Sequence, residues 1–186
     1  MRKPNARERI LETATELFHK RGYSEVGINE IIEKAETAKA SFYHYYPSKE
    51  ALCEAWLSSV HEGSEIRRAE ILKSPGTAAS KIERYFEQLE SYMISSEFRG
   101  CPYSNTCAVS DEGCGGVIEL IRRHKESLRQ FFREVCGQRF HDPEKAAEVG
   151  DRIFILYSGA ATESQNMKDS WPIKVAAQAS RDLTSP

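Results

Sequence analysis

Apolar residues recur at intervals of three and four along almost the whole chain. This spacing marks one face of an α-helix, and no convincing stretch alternates apolar and polar residues as a half-buried strand does. The chain has 186 residues, of which 40% are hydrophobic, so it can bury a sizeable core. The sequence therefore predicts an all-α protein of about nine helices.

Glycine, proline and serine separate the predicted helices. The first amphipathic helix, over 5–21, stops at Gly22, a residue that suits a helix C-terminus. The later patterns are interrupted by Pro47 and by Ser74-Pro75-Gly76. Ser48 is predicted to cap the fourth helix. The further helical patterns cover 28–35, 39–46, 48–73, 78–96, 102–111, 116–137, 143–167 and 172–183.

Two of these patterns are short and lie close together. The helices over 28–35 and 39–46 are separated only by Glu36-Thr37-Ala38. Two short helices joined by a turn of this length are typical of a helix-turn-helix.

The segment KASFYHYYPSK, residues 39–49, is dense in aromatic side chains. Residues four apart share a helix face, so Phe42 and Tyr46 are expected in the core. An entirely buried helix is disfavoured, because the tyrosine hydroxyls and the imidazole would need buried partners. The side chains expected to face outward are Tyr43, His44 and Tyr45.

Local charge around this segment indicates a nucleic-acid partner. No acidic residue lies between Thr37 and Lys49, although the flanking segments contain several glutamates. Lysines neutralise phosphates and release counterions, and hydroxyl groups bond to phosphate oxygens. The whole chain has a net charge of −2, so its overall charge gives no such indication.

Residues 6–52 resemble the DNA-binding module of the TetR/AcrR family of bacterial transcriptional regulators. The shared features are the Ile-Leu, Ala and Leu-Phe of the first helix, Gly22-Tyr23, Ile28 with Ile31-Ile32 and Ala35, Ser41-Phe42-Tyr43, and Ser48-Lys49-Glu50-Ala51-Leu52. The resemblance implies a helix-turn-helix at about 27–46 and a homodimer on a palindromic double-stranded DNA operator. It also implies a DNA-binding domain over 1–57 and an effector-binding and dimerisation domain over 58–186.

The resemblance assigns DNA contacts to the recognition helix and the start of the next helix. The first residues of the recognition helix approach base edges, its aromatic cluster contacts phosphates and sometimes bases, and a lysine at the following helix grips the backbone. The residues that match these positions are Lys39, Ala40, Ser41, Tyr43, His44, Tyr45 and Lys49.

Some positions depart from the usual family pattern. Glu36 stands where the turn usually has glycine, so a glutamate must adopt a left-handed backbone at a cost of about 1 kcal/mol, and a distorted turn is expected. Val26-Gly27 stand where the second helix usually has a hydroxyl residue. We expect one phosphate contact to be missing and operator affinity to be lower. Ala40 replaces a residue that is often glycine and changes little.

The resemblance implies a small-molecule effector whose identity the sequence does not give. Such a pocket is built from scattered core side chains that no local motif marks, and aromatic residues at helical spacing also suit an ordinary core. The candidate pocket residues are Tyr85, Phe86, Leu89, Tyr92, Met93, Tyr103, Phe131 and Phe154.

The five cysteines contain no CxxC pair, so neither a disulfide framework nor a metal site is expected. The segment from Arg99 to Cys107 resembles the Gly-Cys segment that opens the sixth helix in some family members, several of which sense electrophiles or oxidants. Cys101 precedes Pro102 at a predicted helix start, where a thiolate would be stabilised. Cys101 and Cys107 are therefore candidate sensor thiols, with an inert buried cysteine as the alternative. Cys114 lies beyond a predicted break at Glu112-Gly113.

Small residues in the last two long helices are compatible with a four-helix interface between two subunits. They include Gly159-Ala160-Ala161 and Ala176-Ala177, beside Leu156 and Tyr157. Packing within one chain is the alternative, and the family resemblance favours dimerisation.

The leading hypothesis is a ligand-responsive repressor that is not an enzyme and needs no cofactor. A thiol enzyme using a cysteine with His61, His124 or His141 is the alternative from another class, but no nucleophile turn or oxyanion motif is recognisable. A helical protein-interaction module would leave the lysine placement unexplained. The opening residues lack a signal peptide and no segment reaches roughly 18 apolar residues, so a cytoplasmic protein without membrane contact is expected.

Overall fold

The structure is a computed structural model that describes residues 4–110 and 115–185. Within these residues the chain forms nine α-helices, which confirms the predicted all-α fold. None of the helices in the described ranges is both long and apolar enough to cross a membrane. The helices are α1 Ala6–Arg21, α2 Ile28–Lys34, α3 Lys39–Tyr45, α4 Lys49–Lys73, α5 Ala78–Ser95, α6 Pro102–Cys107, α7 Gly115–Gly137, α8 Pro143–Met167 and α9 Trp171–Thr184.

The chain divides into two compact units. The first unit is Met1–Glu62 with Pro102–Arg122, and the second is Gly63–Cys101 with Arg123–Pro186. The divisions fall within α4 and α7 and at the start of α6.

Helix α1 begins at a capping box in the first unit. The Asn5 side chain accepts a hydrogen bond from the Glu8 amide at 3.0 Å, and the Glu8 carboxylate accepts one from the Asn5 amide at 2.8 Å. The helix buries Phe18 among other apolar residues, and the Trp56 ring of α4 packs on Phe18 with a centroid separation of 5.2 Å. This core fixes α1 against the start of α4.

Helix α6 is shorter than the sequence predicts. It ends at Cys107, and the next amides of Val109 and Ser110 bond back by only three residues. The Ser110 hydroxyl also donates to the Thr106 carbonyl at 2.7 Å, so a side chain competes with the helical backbone pattern. Residue 111, where the predicted helix ended, lies outside the described residues.

The core of the second unit lies between α5, α8 and α9, and side chains of α4 and α7 also belong to it. Asp142 caps α8 by accepting from the Glu144 amide at 3.0 Å, with Pro143 at the first turn. Helix α5 starts at Thr77, whose hydroxyl accepts from the Ser80 amide at 3.2 Å. These caps define where the helices begin.

Helices α7 and α8 approach each other closely at Gly150. A Cβ built on Gly150 would lie 2.7 Å from backbone atoms of Arg133. Beside this contact, Asp151 accepts paired hydrogen bonds from Arg129 at 2.8 Å and from Arg133 at 2.7 Å. The missing side chain therefore allows the approach, and the ion pairs fix its register.

Small residues of α8 and α9 pack inside one chain. Ala160, Ala161 and Ala176 are buried in the core of the second unit, whereas Gly159 is exposed. These three alanines therefore pack within the chain, and the four-helix interface between two subunits stays a prediction.

Candidate functional site

The turn between α2 and α3 closes with a left-handed residue. Glu36 has φ of 48°, as expected for the position at which glycine is usual. Its amide donates to the Glu33 carbonyl at 3.1 Å, and the Thr37 amide donates to the Ile32 carbonyl at 3.1 Å. These are the two bonds of a Schellman motif, so the turn is regular and the expected distortion is wrong.

Arg9 of α1 supports this turn from the side. Its Nε donates to the Ala35 carbonyl at 3.0 Å and its Nη2 to the Glu36 carbonyl at 3.2 Å. Carbonyls at the end of α2 that have no helical partner are thereby bonded to a cation. Arg9 thus ties the helix-turn-helix to α1.

Helix α3 has one buried face and one exposed face. Phe42 and Tyr46 are 0% and 3% exposed, which confirms the prediction that they belong to the core. The Tyr46 hydroxyl donates to the Arg7 carbonyl at 3.4 Å, so its buried oxygen has a partner. The outer face is a surface without carboxylates on α3 itself, formed by Lys39, Ala40, Tyr43, His44 and Tyr45.

Ser41 and Gly27 differ from that exposed surface. Ser41 is only partly exposed. Gly27 is the N-cap of α2, which has no side-chain cap hydrogen bond, in agreement with the missing hydroxyl in the sequence. A Cβ on Gly27 would meet nothing within 4 Å among the residues that the structure describes.

Lys49 begins α4 immediately after its cap, since the Ser48 hydroxyl accepts from the Ala51 amide at 3.1 Å as predicted. Its Nζ donates to the Ser24 carbonyl at 3.4 Å and lies 4.4 Å from the centre of the Tyr23 ring. Burial lowers the pKa of Lys49, although nearby acidic groups oppose this shift. A phosphate would therefore have to share the ammonium with the Ser24 carbonyl.

The residues predicted to line the effector pocket do not all lie in the same unit. Tyr103 is buried in the first unit and its hydroxyl donates to the Leu57 carbonyl at 2.9 Å. The remaining candidates lie in the core of the second unit or pack against it: Tyr85, Phe86, Leu89, Tyr92, Met93, Phe131 and Phe154.

An aromatic cluster occupies the core of the second unit. The Tyr85 ring lies 4.7 Å from Phe131, 5.6 Å from Phe132 and 5.2 Å from Tyr157, measured between centroids. Burial is the main cause that raises the pKa of Tyr157 well above its usual range, and Tyr85 adds to it. Tyr157 therefore packs against this core with a neutral hydroxyl group.

Arg68, which is not among the predicted site residues, lies beside this cluster. Only 2% of the residue is exposed. Burial disfavours its charge, but Tyr85 and Glu65 outweigh this effect and raise the pKa of Arg68. The signal was present in the sequence, because Arg68 falls three residues before buried Ile71 on the same helical face.

The cysteines differ in burial and surroundings. Cys53 and Cys136 are fully buried, and burial raises the pKa of the Cys136 thiol to about 11, which makes it unreactive. Cys107 is exposed, whereas Cys101 is half-buried and its Sγ accepts a hydrogen bond from Lys125 Nζ at 3.7 Å. Cys114 lies outside the described residues.

A known protein family matches the helix-turn-helix region of the first unit. The family of bacterial regulatory proteins named tetR matches residues 10–56, which include α2, α3 and the start of α4. The HTH-type transcriptional repressor NemR of Escherichia coli strain K12 is 29% identical over 186 residues, covering 92% of this chain and 90% of NemR.

Solved structures share the fold of the whole chain. The reduced form of E. coli NemR has a TM-score of 0.80 at 22% identity and covers 97% of this chain and 98% of its own. A TetR transcriptional regulator from Legionella pneumophila has a TM-score of 0.86 at 20% identity and covers 100% of both chains. From the matched DNA-binding module, the curated relative and the shared fold, we conclude that the chain belongs to the TetR family of bacterial transcriptional regulators.

Proposed function

We propose that this regulator is a repressor that binds a palindromic operator as a homodimer and is released by a small-molecule effector. The observation that carries the proposal is the outer face of α3, where Lys39, Tyr43, His44 and Tyr45 are exposed without a carboxylate on the helix. Such a face suits a major groove lined by phosphates. A repressor of this kind acts on bacterial DNA in the cytoplasm.

The DNA contacts fall into two groups. Lys39, Ala40 and Ser41 at the start of α3 approach base edges, and the aromatic residues together with Lys49 bind the phosphate backbone. In this proposal residues 1–57 form the DNA-binding domain, and residues 58–186 bind the effector and dimerise.

A gel-shift titration against DNA from upstream of the protein's own gene tests the DNA-binding role. Tyr43→Ala and Lys49→Ala are expected to weaken binding, and Lys39→Ala to reduce the slope of log affinity against log salt by about one unit. Lys145→Ala is the control, because Lys145 is an exposed residue of α8. Failure of the wild type to bind any palindrome in that DNA would reject the proposal.

Exposed apolar residues on α8 and α9 support a homodimer. Ile155, Trp171 and Val175 are 66%, 50% and 60% exposed in the single chain. The double variant Ile155→Glu, Val175→Glu should be a monomer when its mass is measured by light scattering. In a dimer through this surface, each new carboxylate would be buried against apolar residues of the other subunit, which is unfavourable. Ile94→Glu is the matched control on α5, where Ile94 is 57% exposed.

The effector pocket is proposed in the aromatic core of the second unit. Its candidate lining is Tyr85, Leu89, Tyr92, Met93, Phe131 and Phe154. An effector can release DNA only if it binds one arrangement of the subunits more tightly than the other.

A thiol sensor is the second candidate, and the contact between Lys125 and Cys101 favours it. The ammonium can pair with a thiolate at Cys101, which would add to the β-carbon of an α,β-unsaturated carbonyl. The new S–C bond forms as the C=C bond is lost, and water supplies the proton to the α-carbon. A thiol enzyme is less well supported, because Cys53 and Cys136 are fully buried and a substrate would not reach them.

Release of operator DNA by such an electrophile tests the sensor. Cys101→Ser should abolish the response and Lys125→Met should slow it, while Cys107→Ser serves as the matched control. An unchanged response of Cys101→Ser would reject Cys101 as the sensor and leave the repressor proposal standing.

A further inference from the structure

The guanidinium of Arg68 is buried, and its two terminal nitrogens differ in their surroundings. Its Nη2 donates to the Ser127 hydroxyl at 3.2 Å and to the Glu65 carboxylate. Its Nη1 is buried and has no hydrogen-bond partner among the residues in the described ranges. A buried charged donor without an acceptor is unfavourable, so a ligand that accepts a hydrogen bond from this nitrogen would bind more tightly.

The carboxylate that pairs with Arg68 is much more exposed than Arg68 itself. The Arg68 side chain is 3% exposed, whereas that of Glu65 is 47% exposed. Water therefore screens the carboxylate more than the guanidinium. Glu65 also accepts a hydrogen bond from Ser127, which divides its interaction between two donors. Nη1 is thus a charged donor without a hydrogen-bond acceptor among the described residues, and an anionic oxygen suits it.

Two tyrosines and a phenylalanine lie on the side of Arg68 that faces the aromatic cluster. Tyr85 interacts with Arg68, and the Tyr157 ring stacks on Tyr85 with an interplanar angle of 27°. Phe132 lies 5.6 Å from both tyrosine rings. A cation beside stacked aromatic rings suits a ligand with an anionic end and an apolar body.

We infer that the effector is a small carboxylic acid with an aromatic or apolar body, whose carboxylate binds Nη1 of Arg68. The inference rests on the proposed effector-binding role of the second unit. Because the rings now contact one another, the ligand body enters only when Tyr85 or Tyr157 moves aside. The acid therefore favours a different packing of α5 and α8, which is the differential affinity that an effector requires.

Calorimetry on the full-length protein tests the site without DNA. The probes are benzoate, phenylacetate and hexanoate, each paired with its neutral amide. At least one acid is expected to bind, with its amide at least about tenfold weaker, because a charge-assisted hydrogen bond is lost. Arg68→Met should weaken the acid by a similar factor and leave the amide unchanged.

Arg67→Met is the matched control, since Arg67 is an exposed neighbour on α4 and should leave affinity for the acid unchanged. Ligand-free Arg68→Met is expected to have a lower urea midpoint, because Tyr85 and Glu65 stabilise the wild-type charge. The affinity for the amide separates the two roles, since loss of a purely structural arginine would weaken the acid and the amide alike. If Arg68→Met does not fold, Arg68→Lys replaces it and should still bind acid more weakly than wild type.

Operator binding, followed separately by gel shift, distinguishes the inference from the function on which it rests. Operator binding without affinity for any of the acids would overturn the inference alone. Equal binding of acid and amide, or full acid affinity in the Arg68 variant, would also overturn it. Acid binding through Arg68 without operator binding would support the site and reject the repressor role.

Discussion

Arg9 Nε and the carbonyl oxygen of Ala35 are 3.0 Å apart, which joins the first helix to the end of the second. The same guanidinium also bonds to the Glu36 carbonyl at 3.2 Å. The angle at which α3 is presented therefore depends on a side chain outside the helix-turn-helix.

Arg9→Met is expected to lower the free energy of unfolding by about 1–2 kcal/mol, because the carbonyls of Ala35 and Glu36 lose their charged donor. Operator affinity should fall as well, since α3 is less firmly oriented. Urea denaturation and gel shift measure the two effects. Lys20→Met, at an exposed position of the same helix, should change stability by less than about 0.5 kcal/mol. Equal behaviour of the two variants would show that Arg9 does not support the turn.

Glu36→Gly is expected to raise the free energy of unfolding by about 0.5–1 kcal/mol, since glycine adopts the left-handed backbone without a Cβ penalty. Urea denaturation measures the change. The matched control is Glu33→Gly, a helical position of α2, which should lower the free energy by about 1 kcal/mol. A loss of stability in Glu36→Gly would mean that the glutamate side chain contributes more than the strain removes.

Gly27→Ser is expected to strengthen operator binding several-fold. The added hydroxyl could cap α2 and supply a phosphate hydrogen bond of about 0.5–1.5 kcal/mol. Gly27→Ala adds a Cβ without the hydroxyl and should give no such gain in a gel-shift titration. If both variants bind the operator equally, the hydroxyl does not reach a phosphate.

Gly150→Ala is expected to lower the free energy of unfolding by about 1–3 kcal/mol, because the new Cβ would overlap the Arg133 backbone. Thermal and urea denaturation measure this loss. Gly63→Ala in α4 is the control, since its Cβ would meet only Arg67 Nη1 at an ordinary distance of 3.5 Å. The control should gain about 0.5–1 kcal/mol from the higher helix propensity of alanine. A Gly150→Ala protein as stable as wild type would refute the close helix approach.

Acid should weaken the junction of α7 and α8 through Asp151. Hydrogen bonds from Arg133, and next from Arg129, hold the pKa of Asp151 well below its usual range. A depressed folded pKa gives stability that is fully present above the unfolded value of about 3.9 and is lost as the pH falls through the folded value.

Asp151→Asn should therefore be less stable than wild type at pH 7, and the difference should shrink below pH 4. Because the Asp151 side chain is 35% exposed, screening limits the effect to about 1 kcal/mol. Urea denaturation at pH 7 and pH 3 measures it. A difference that stays constant with pH would exclude the carboxylate charge as its origin.

The sequence predicted the structure correctly where the interacting residues lie within one short segment. Helical spacing placed Phe42 and Tyr46 inward and the intervening aromatics outward, and it also identified Ser48 as a cap. Glu36 was recognised as left-handed because it occupies a glycine position of the resembled module. Each of these predictions depends on residues within a few positions of one another.

Predictions that needed distant partners were less successful. Sequence spacing did not reveal that Ala160 and Ala176 pack within one chain or that Lys49 contacts the Ser24 carbonyl. Tyr103 has its hydroxyl partner 46 residues earlier, at Leu57. Periodicity identifies a buried face, but it does not identify the residue against which that face packs.

The sequence by itself determined the helices, the helix-turn-helix and the residues of α3 that face outward, because helix formation and amphipathicity depend on local spacing. Only the tertiary structure decided that Arg9 holds the turn and that Arg68 Nη1 has no hydrogen-bond partner among the residues that the structure describes. The partners of Arg68 include Ser127, 59 residues away along the chain. Burial and hydrogen bonding of such a group arise when distant helices pack, and that packing also gives the core of the second unit its proposed chemical preference.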